Sequence, residues 1–306
     1  MAPYLIKNDN HITDELQIAE LMASHYETIS SNNSYNMKFQ RYRRTHEQPI
    51  NFSTKESIPY NSPITILELE RMLATCTNTA VGEDKITYSM IRRSHESCHH
   101  FLIAIYNKIF DTGIYSPQWQ SSTVLSFPKP GKNSTLEENF RPISLTSCVG
   151  KLMEKIINNR LTFFLESNNH LPPEQFGFRK MHSTIDALNR FTTDISKSLN
   201  QKNSVICVSF DMRKAYDTTW RYGILQNMYD IGLRGKLPEY IRCFLSNRLF
   251  KTKIGNTYST YHTLDQGVPQ GGVLSCTLFS LAINNILKII PNTVRASLYV
   301  DDLLIY

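Results

Sequence analysis

Cysteine is scarce in this sequence, and its arrangement is not that of a zinc module or a disulfide framework. The chain has six cysteines, and none of them forms a Cys-x-x-Cys pair. Several fall at apolar positions of predicted helices or strands. This pattern is typical of reduced core cysteines in an intracellular protein.

Long hydrophobic runs are also lacking. The first residues do not contain the apolar core of a signal peptide. The longest uncharged stretch, Gln266 to Leu287, is interrupted by Gly, Pro and Asn284-Asn285, so its continuous apolar part is too short to span a bilayer. We therefore expect no membrane segment and a soluble, intracellular protein.

Positive charge exceeds negative charge in a chain of ordinary hydrophobicity. The 306 residues include 33 Lys and Arg against 27 Asp and Glu, and 41% of them are hydrophobic. A chain of this length can bury a sizeable core as one large domain or as two interleaved ones. The net charge of +6 favours a polyanionic partner without deciding the matter.

The last ten residues, Ser297–Tyr306, place two adjacent carboxylates inside an apolar and aromatic run. This predicts a hairpin with Asp301 and Asp302 at its turn. Because side chains alternate along a strand, a further carboxylate is needed for one site, and Asp211 at the end of the apolar run 205–210 is the candidate. Such hard oxygen ligands suit Mg²⁺, and a pair of metal ions serves phosphoryl transfer. The alternative is a solvated turn.

Five segments together resemble a known family. The segments Phe210–Asp217, Gly267–Gly272 and Tyr299–Asp302 resemble motifs A, B and C of reverse transcriptases, in order and at fitting separations. With Asn139–Leu145 and Gln175–Arg179, they look most like the polymerase of non-LTR (LINE, jockey-like) retrotransposons of arthropods. The resemblance covers the chain from about residue 60 onward.

The resemblance implies an α+β right-hand polymerase fold with an antiparallel palm sheet that carries the catalytic Asp residues. We expect an N-terminal helix and polar linker over 1–60, fingers over 61–205 and an incomplete palm over 206–306. In this family a thumb, and often an endonuclease, lies outside such a segment, so we expect the segment alone to extend a primer poorly. The family also implies a nuclear location.

The implied reaction is RNA-directed DNA synthesis, in which a dNTP is joined to the 3′-hydroxyl of a DNA primer on an RNA template. Asp211, Asp301 and Asp302 are the expected catalytic residues. Asp211, Asp301 and the backbone carbonyl of Met212 are the expected ligands of two Mg²⁺ ions, with Mn²⁺ as a substitute.

The resemblance also implies which residues bind the substrates. The expected nucleotide-binding residues are Arg141, Lys129, Tyr216, Gln270 and Gly271. The expected template- and primer-binding residues are Gln175, Gly177, Phe178, Arg179 and Tyr299. Within the first group, Arg141 would contact the triphosphate, unless it pairs with Glu137 or Glu138. Tyr216 would exclude a ribose 2′-hydroxyl, unless it is a plain core aromatic.

Two rival functions stay open. A catalytically silent remnant that binds nucleic acid is one alternative, which the expected truncation favours and the intact Asp211, Asp301 and Asp302 disfavour. Gly272, Cys276 and Asn285 also stand where the family usually has Ser, Pro and Asp. An RNA-dependent RNA polymerase is the other, although such enzymes usually lack an aromatic residue at the position of Tyr216.

Local patterns predict the main elements. The segment Thr13-Asp14-Glu15 supplies a cap and an acidic first turn for a helix that buries Ile18, Leu21, Met22 and Tyr26. The polar tract 30–62, with basic and aromatic residues over 38–44, could grip RNA, but we treat it as a solvated connector. We further expect a buried strand over 205–210, a hairpin over 251–262 and one helix over 273–290.

Overall fold

The protein's secondary structure is seen in a computed structural model that describes residues 4–7, 10–291 and 293–306. The helices are α1 (Glu15–Ser30), α2 (Met37–His46), α3 (Ile66–Ala74), α4 (Tyr88–Arg93), α5 (Glu96–Thr112), α6 (Pro117–Gln120), α7 (Cys148–Ser167), α8 (Thr184–Asn200), α9 (Ala215–Thr218), α10 (Arg221–Asp230), α11 (Lys236–Leu245), α12 (Val273–Ile283) and α13 (Asn285–Lys288). The strands are β1 (Leu5–Lys7), β2 (Asn10–Ile12), β3 (Ser121–Pro128), β4 (Phe140–Leu145), β5 (Val208–Asp211), β6 (Arg248–Ile254), β7 (Thr257–Tyr258), β8 (His262–Leu264), β9 (Ala296–Tyr299) and β10 (Asp302–Ile305). Within the described residues, no helix is both long and apolar enough to cross a membrane.

Two larger sheets organise the chain. The first has the order β4-β3-β6-β7, with β8 also paired to β6, and only its β3–β6 pair is parallel. The second is antiparallel throughout, with the order β5-β10-β9. The first sheet joins strands from 121–145 to strands from 248–264, so a boundary at residue 205 does not separate the two sheets. The chain is interleaved, and the antiparallel sheet that carries the Asp residues is confirmed.

The main core surrounds α7. Four apolar residues of this helix, Leu152, Met153, Ile156 and Ile157, are fully buried. These residues join side chains of α3, α5, α10, α11 and α12 in one cluster. Burial of each such side chain contributes about 1.5–3 kcal/mol.

Helix α1 covers the first sheet. Within the predicted capping segment 13–15, Asp14 is the residue that caps it, by accepting the N–H of Gln17 at 2.9 Å. Its buried stripe packs against Val124 and Phe250 of the sheet, and the hydroxyl of Tyr26 donates to Ser126 Oγ at 2.9 Å. The N-terminal helix is therefore an integral layer of the sheet.

The tract expected to be a solvated connector contains α2. Phe39 and Tyr42 lie edge-on against Trp220, with ring centroids 5.3 and 6.1 Å away. The indole N–H of Trp220 donates to Glu47 at 2.6 Å. Tyr35, Phe39 and Tyr42 are spaced as on one face of a helix, and Phe39 and Tyr42 attach α2 to Trp220. The polar composition of the tract did not indicate this contact.

Two other elements differ from expectation. The strand expected to be buried over 205–210 begins only at Val208, and all four residues of β5 are exposed at the edge of its sheet. The helix expected over 273–290 is divided at Asn284, whose side-chain amide donates to the carbonyl of His170 at 2.8 Å.

His262 should make the attachment of α1 depend on pH. Its ring lies 2.8 Å from a Glu27 oxygen and 3.2 Å from a Glu20 oxygen. Burial would lower the pKa of His262, but the hydrogen bonds to these carboxylates outweigh it and raise the pKa above 6.5. The stabilisation is therefore fully present below pH 6.5 and is lost as the pH rises through the folded pKa.

We predict that His262→Gln lowers the free energy of unfolding by about 1–2 kcal/mol at pH 6 and by much less at pH 9, as measured by urea denaturation. The matched control His100→Gln, at an exposed site, should change it little at either pH. A loss for His262→Gln that is independent of pH would contradict this role.

Glu154 should matter for stability through its oxygen acceptor. It lies on α7, is 2% exposed, and accepts the N–H groups of Val273 at 2.7 Å and Leu274 at 3.4 Å at the start of α12. Burial raises the pKa of this carboxyl. We predict that Glu154→Gln keeps the acceptor and stays within about 1 kcal/mol of the wild type, whereas Glu154→Leu loses about 2–4 kcal/mol because two buried N–H groups are left unpaired. Equal unfolding free energies for the two variants would rule this out.

Candidate active site

Strand pairing brings two of the three predicted acids to one pocket. In the antiparallel pair of β10 and β5, Asp302 is the register partner of Asp211. Asp301 precedes β10 in the turn from β9. Asp211 and Asp301 line a pocket of about 630 Å³, together with Met212, whereas Asp302 does not line it. Asp301 lies in the turn and not in β10, so the alternation of side chains along a strand does not fix the direction of its side chain.

The turn that carries Asp301 is tightly constrained. Val300 has φ 58°, a conformation that a β-branched residue rarely adopts and that costs about 1–3 kcal/mol. A Cβ at Gly177 would collide with the backbone nitrogen of Val300, so only glycine allows this approach. Phe176 N–H donates to the carbonyl of Leu298 at 2.9 Å, and Leu298 N–H donates to that of Glu174 at 2.8 Å. The segment 174–177 therefore supports the Asp hairpin.

This support role conflicts with two of the predicted template contacts. Gln175 is fully buried, and its amide donates to the carbonyl of Ser280 at 3.3 Å. Arg179 donates to both oxygens of Glu166, at 3.0 and 2.7 Å. Both side chains are thus engaged inside the protein and are not placed to contact a template.

Two other predicted template residues do have exposed surface. Phe178 is 47% exposed, and its ring lies edge-on to Tyr216 with centroids 6.4 Å apart. Tyr299, at the end of β9, is partly exposed. Surface that a base could reach is therefore present next to the Asp hairpin.

Cationic side chains line the pocket that contains the acids. They are Lys129, Lys132, Arg141, Arg213 and Lys214. Arg141 has no carboxylate oxygen within 4.0 Å among the described residues, so the alternative pairing with Glu137 or Glu138 is not formed. Burial and the neighbouring Arg213 lower the pKa of Lys214. The pocket therefore combines Asp211 and Asp301, along with Glu138 and Asp217, with several cations that can bind phosphate.

Helix α1 also lines the pocket, which the sequence did not predict. His25, Tyr26 and Ile29 line the same pocket. Burial, and then the charge of Lys214, lower the pKa of His25. The only signal in the sequence was a histidine beside the buried stripe of α1, which does not indicate what lies opposite the helix.

Tyr216 and Gln270 are fixed by defined contacts. The ring of Tyr216 stacks on Phe279, with centroids 4.7 Å apart and planes at 15°. Burial raises the pKa of its hydroxyl. Gln270 Nε2 donates to Asp217 Oδ1 at 2.8 Å, and burial raises the pKa of this carboxyl. Asp217, which had no predicted role, orients Gln270.

The glycines of the loop 267–272 let its backbone lie close to neighbouring backbone segments. Gly271 has φ 118°, and a Cβ there would lie 2.6 Å from the carbonyl oxygen of Ser144, so glycine is required for the backbone to pass this close. Gly271 does not line the pocket. Ser144 N–H in turn donates to the carbonyl of Gln270 at 2.7 Å. The unusual Gly272 caps α12, and Cys276 lies against Tyr216.

The donor set fits a divalent cation that is completed by substrate oxygens. The described residues contain no group of three His, Cys, Asp or Glu side chains arranged as a closed metal site. Asp211 and Asp301 nevertheless share one pocket. Burial, and then the charges of Asp302 and Asp211, raise the pKa of Asp301. A hard cation would relieve this repulsion and would leave positions for water and phosphate.

Comparison with known proteins agrees with the motifs. A family model described as reverse transcriptase (RNA-dependent DNA polymerase) matches residues 127–306, a range that contains all five segments of the resemblance. The "Probable RNA-directed DNA polymerase from transposon BS" of Drosophila melanogaster is 30% identical over 271 residues, which cover 88% of this chain and 29% of that protein. The "RNA-directed DNA polymerase from mobile element jockey" of Drosophila melanogaster is 29% identical over 275 residues, covering 88% and 30%.

The chain thus spans less than a third of the length of these relatives. Among solved structures, telomerase from Candida tropicalis in complex with a fragment of telomeric RNA aligns over 72% of this chain and 40% of its own, with a TM-score of 0.45 and 16% identity. The family model matches more than half of the chain, with its motifs in the segments that build the pocket. The chain therefore belongs to the reverse transcriptase family.

Proposed function

We propose that this chain carries the catalytic centre of an RNA-directed DNA polymerase of a mobile element. The observation that carries the proposal is one pocket in which Asp211 and Asp301 lie together with Arg141, Lys129 and Lys214. A nucleoside triphosphate with its metal ions needs both kinds of group, because its phosphates are anionic and its cations require hard ligands.

The basic side chains bind and neutralise the triphosphate. Arg141 offers a planar fork of donors for phosphate oxygens, and Lys129 and Lys214 add point charges that stabilise the leaving pyrophosphate. Asp211, Asp301 and the carbonyl of Met212 would hold Mg²⁺, or Mn²⁺ in its place, which supplies positive charge to polarise the α-phosphate and to acidify the primer hydroxyl.

Tyr216 and Gln270 select the nucleotide. Because its ring is held by Phe279, Tyr216 fills the space that a ribose 2′-hydroxyl needs and so favours dNTP over rNTP. This residue is also what favours a DNA polymerase over the alternative RNA-dependent RNA polymerase. Gln270, oriented by Asp217, faces the nascent base pair.

The two sheets would hold opposite sides of the substrate complex. We assign the first sheet with α1 to the fingers and the second sheet to the palm. Phe178 and Tyr299, which have exposed surface, would contact the RNA template and the DNA primer near the Asp hairpin. Stacking on such rings tolerates any base sequence.

Metal binding tests the role of the acids on the chain itself. We predict that Mn²⁺, followed by electron paramagnetic resonance, binds at least about tenfold more weakly to Asp211→Asn and to Asp301→Asn, a loss of about 1.4 kcal/mol. Asp302→Asn should have a smaller effect, because Asp302 does not line the pocket. The exposed control Asp230→Asn should bind like the wild type. Unchanged Mn²⁺ binding by both Asp211→Asn and Asp301→Asn would contradict their assignment as metal ligands.

Activity is best measured in a chimaera in which this chain replaces the matching segment of the jockey polymerase. Either substitution should abolish Mg²⁺-dependent dNTP incorporation. Binding of primer and template should stay within about threefold, because contacts to the phosphate backbone dominate that affinity.

Tyr216 provides a separate test in the same chimaera. We predict that Tyr216→Val raises incorporation of rNTP relative to dNTP at least about tenfold, since the ring no longer fills the space of the 2′-hydroxyl. Tyr216→Phe is the matched control and should change the ratio little, because the aromatic ring, and not the hydroxyl of Tyr216, excludes the ribose 2′-hydroxyl. An equal loss of both activities in Tyr216→Val would show that the residue is only structural.

A further inference from the structure

A second polar pocket lies apart from the candidate active site. It has a volume of about 470 Å³ and is lined by residues of α10, α11 and β8 and of the turn before β6. Its charged lining residues are Arg221, Arg242, Arg248 and Asp265. None of its lining residues lines the pocket of Asp211 and Asp301.

Positive charge exceeds negative charge among the residues that line this pocket, with three Arg against one Asp. Arg242 pairs with Glu239 at 2.9 Å, outside the pocket. In the part of the chain that the structure describes, Arg221 and Arg248 form no ion pair within 4.0 Å. The carboxylate of Asp265 accepts a hydrogen bond from Asn32 at 3.2 Å instead. Arg221 and Arg248 therefore lack a directly paired carboxylate, although Asp265 lies near Arg221 and the buried Glu154 lies near Arg248.

Both guanidinium groups are withdrawn from water. Arg248 is 2% exposed, lies over the ring of Phe244 at 5.0 Å, and donates to the Phe244 carbonyl at 3.2 Å. Arg221 Nε donates to the carbonyl of Gly267 at 2.8 Å, while its Nη2 is enclosed and has no hydrogen-bond partner among the described residues.

An anion would stabilise this arrangement. A desolvated guanidinium group is less stable when no acceptor completes its hydrogen bonds. Burial, and then the charge of Arg248, lower the pKa of Arg221 to about 9, so Arg221 is still cationic at pH 7. The stable complement to two neighbouring guanidinium groups is an oxyanion that accepts several N–H donors at once.

We propose that this pocket binds a phosphate group through Arg221 and Arg248. Guanidinium matches phosphate geometry with two parallel hydrogen bonds. The amides of Asn32 and Asn247 line the same pocket and can donate to further oxygens. The volume exceeds that of one phosphate, so the group belongs either to free phosphate or to the backbone of a nucleic acid. The site is independent of the proposed polymerase reaction.

The site is also connected to the loop 267–272. The backbone N–H of Arg221 donates to Gln266 Oε1 at 3.0 Å, and its side-chain Nε donates to the carbonyl of Gly267. A phosphate on the outer nitrogens of Arg221 would fix the side chain that grips the start of this loop. Occupancy should therefore slow backbone hydrogen exchange at residues 266–268.

Titration calorimetry with inorganic phosphate, at constant ionic strength kept with chloride, tests the proposal on the 306-residue chain. We expect saturable binding that Arg221→Gln weakens at least about tenfold. Asn247→Asp should weaken it similarly by adding a negative charge. Asn247 is exposed and has φ 50°, which Asp tolerates, so this variant keeps the fold even if Arg221→Gln does not. The surface control Arg93→Gln, with the same loss of charge, should change the affinity less than about twofold.

Two results would overturn the proposal. One is the absence of saturable phosphate binding, and the other is binding that neither Arg221→Gln nor Asn247→Asp affects, since such phosphate would lie elsewhere, including in the pocket of Asp211.

A short RNA oligonucleotide without terminal phosphates then identifies the source of the phosphate group. If RNA competes with phosphate, and Arg221→Gln reduces the salt dependence of RNA binding by about one phosphate contact, the ligand is a backbone phosphate. If RNA leaves the phosphate affinity unchanged, the ligand is a free oxyanion.

Discussion

The antiparallel pairing of β10 with β5 is the constraint on which the candidate active site depends. It sets Asp302 opposite Asp211 and so brings the β9–β10 turn, with Asp301, over the end of β5. The turn is strained at Val300 and leaves no room for a side chain at Gly177. The surrounding structure must therefore hold it, as strained backbone at functional sites generally requires.

The second organising feature is that acidic and basic side chains line the same pocket. Burial, and then the charges of the neighbouring acids, raise the pKa of Asp301, while burial and the neighbouring Arg213 lower the pKa of Lys214. Such a site gains on binding a ligand that carries both signs of charge. A triphosphate with divalent cations has this character, and the overall charge of +6 alone could not have indicated it.

Local sequence patterns predicted elements whose cause is local. The cap in segment 13–15 and the buried stripe of α1, with Ile18, Leu21, Met22 and Tyr26, formed as expected. Distant contacts could not be predicted in this way. The partner of Arg179 and the docking of α2 depend on which surfaces meet in three dimensions. The sequence could not show that segment 174–177 supports the hairpin from within, because a polar residue such as Gln175 normally suggests exposure.

The central claim is that Asp211 and Asp301 together hold the divalent cation of a polymerase. Iron-mediated cleavage tests it most directly, because Fe²⁺ bound in place of Mg²⁺ generates hydroxyl radicals that cut the backbone around the metal. With ascorbate and peroxide, and with the cuts mapped by mass spectrometry, the account predicts cleavage at residues 210–212 and 300–302, suppressed by excess Mg²⁺. Cleavage spread along the chain, or concentrated at another segment and indifferent to Mg²⁺, would contradict it.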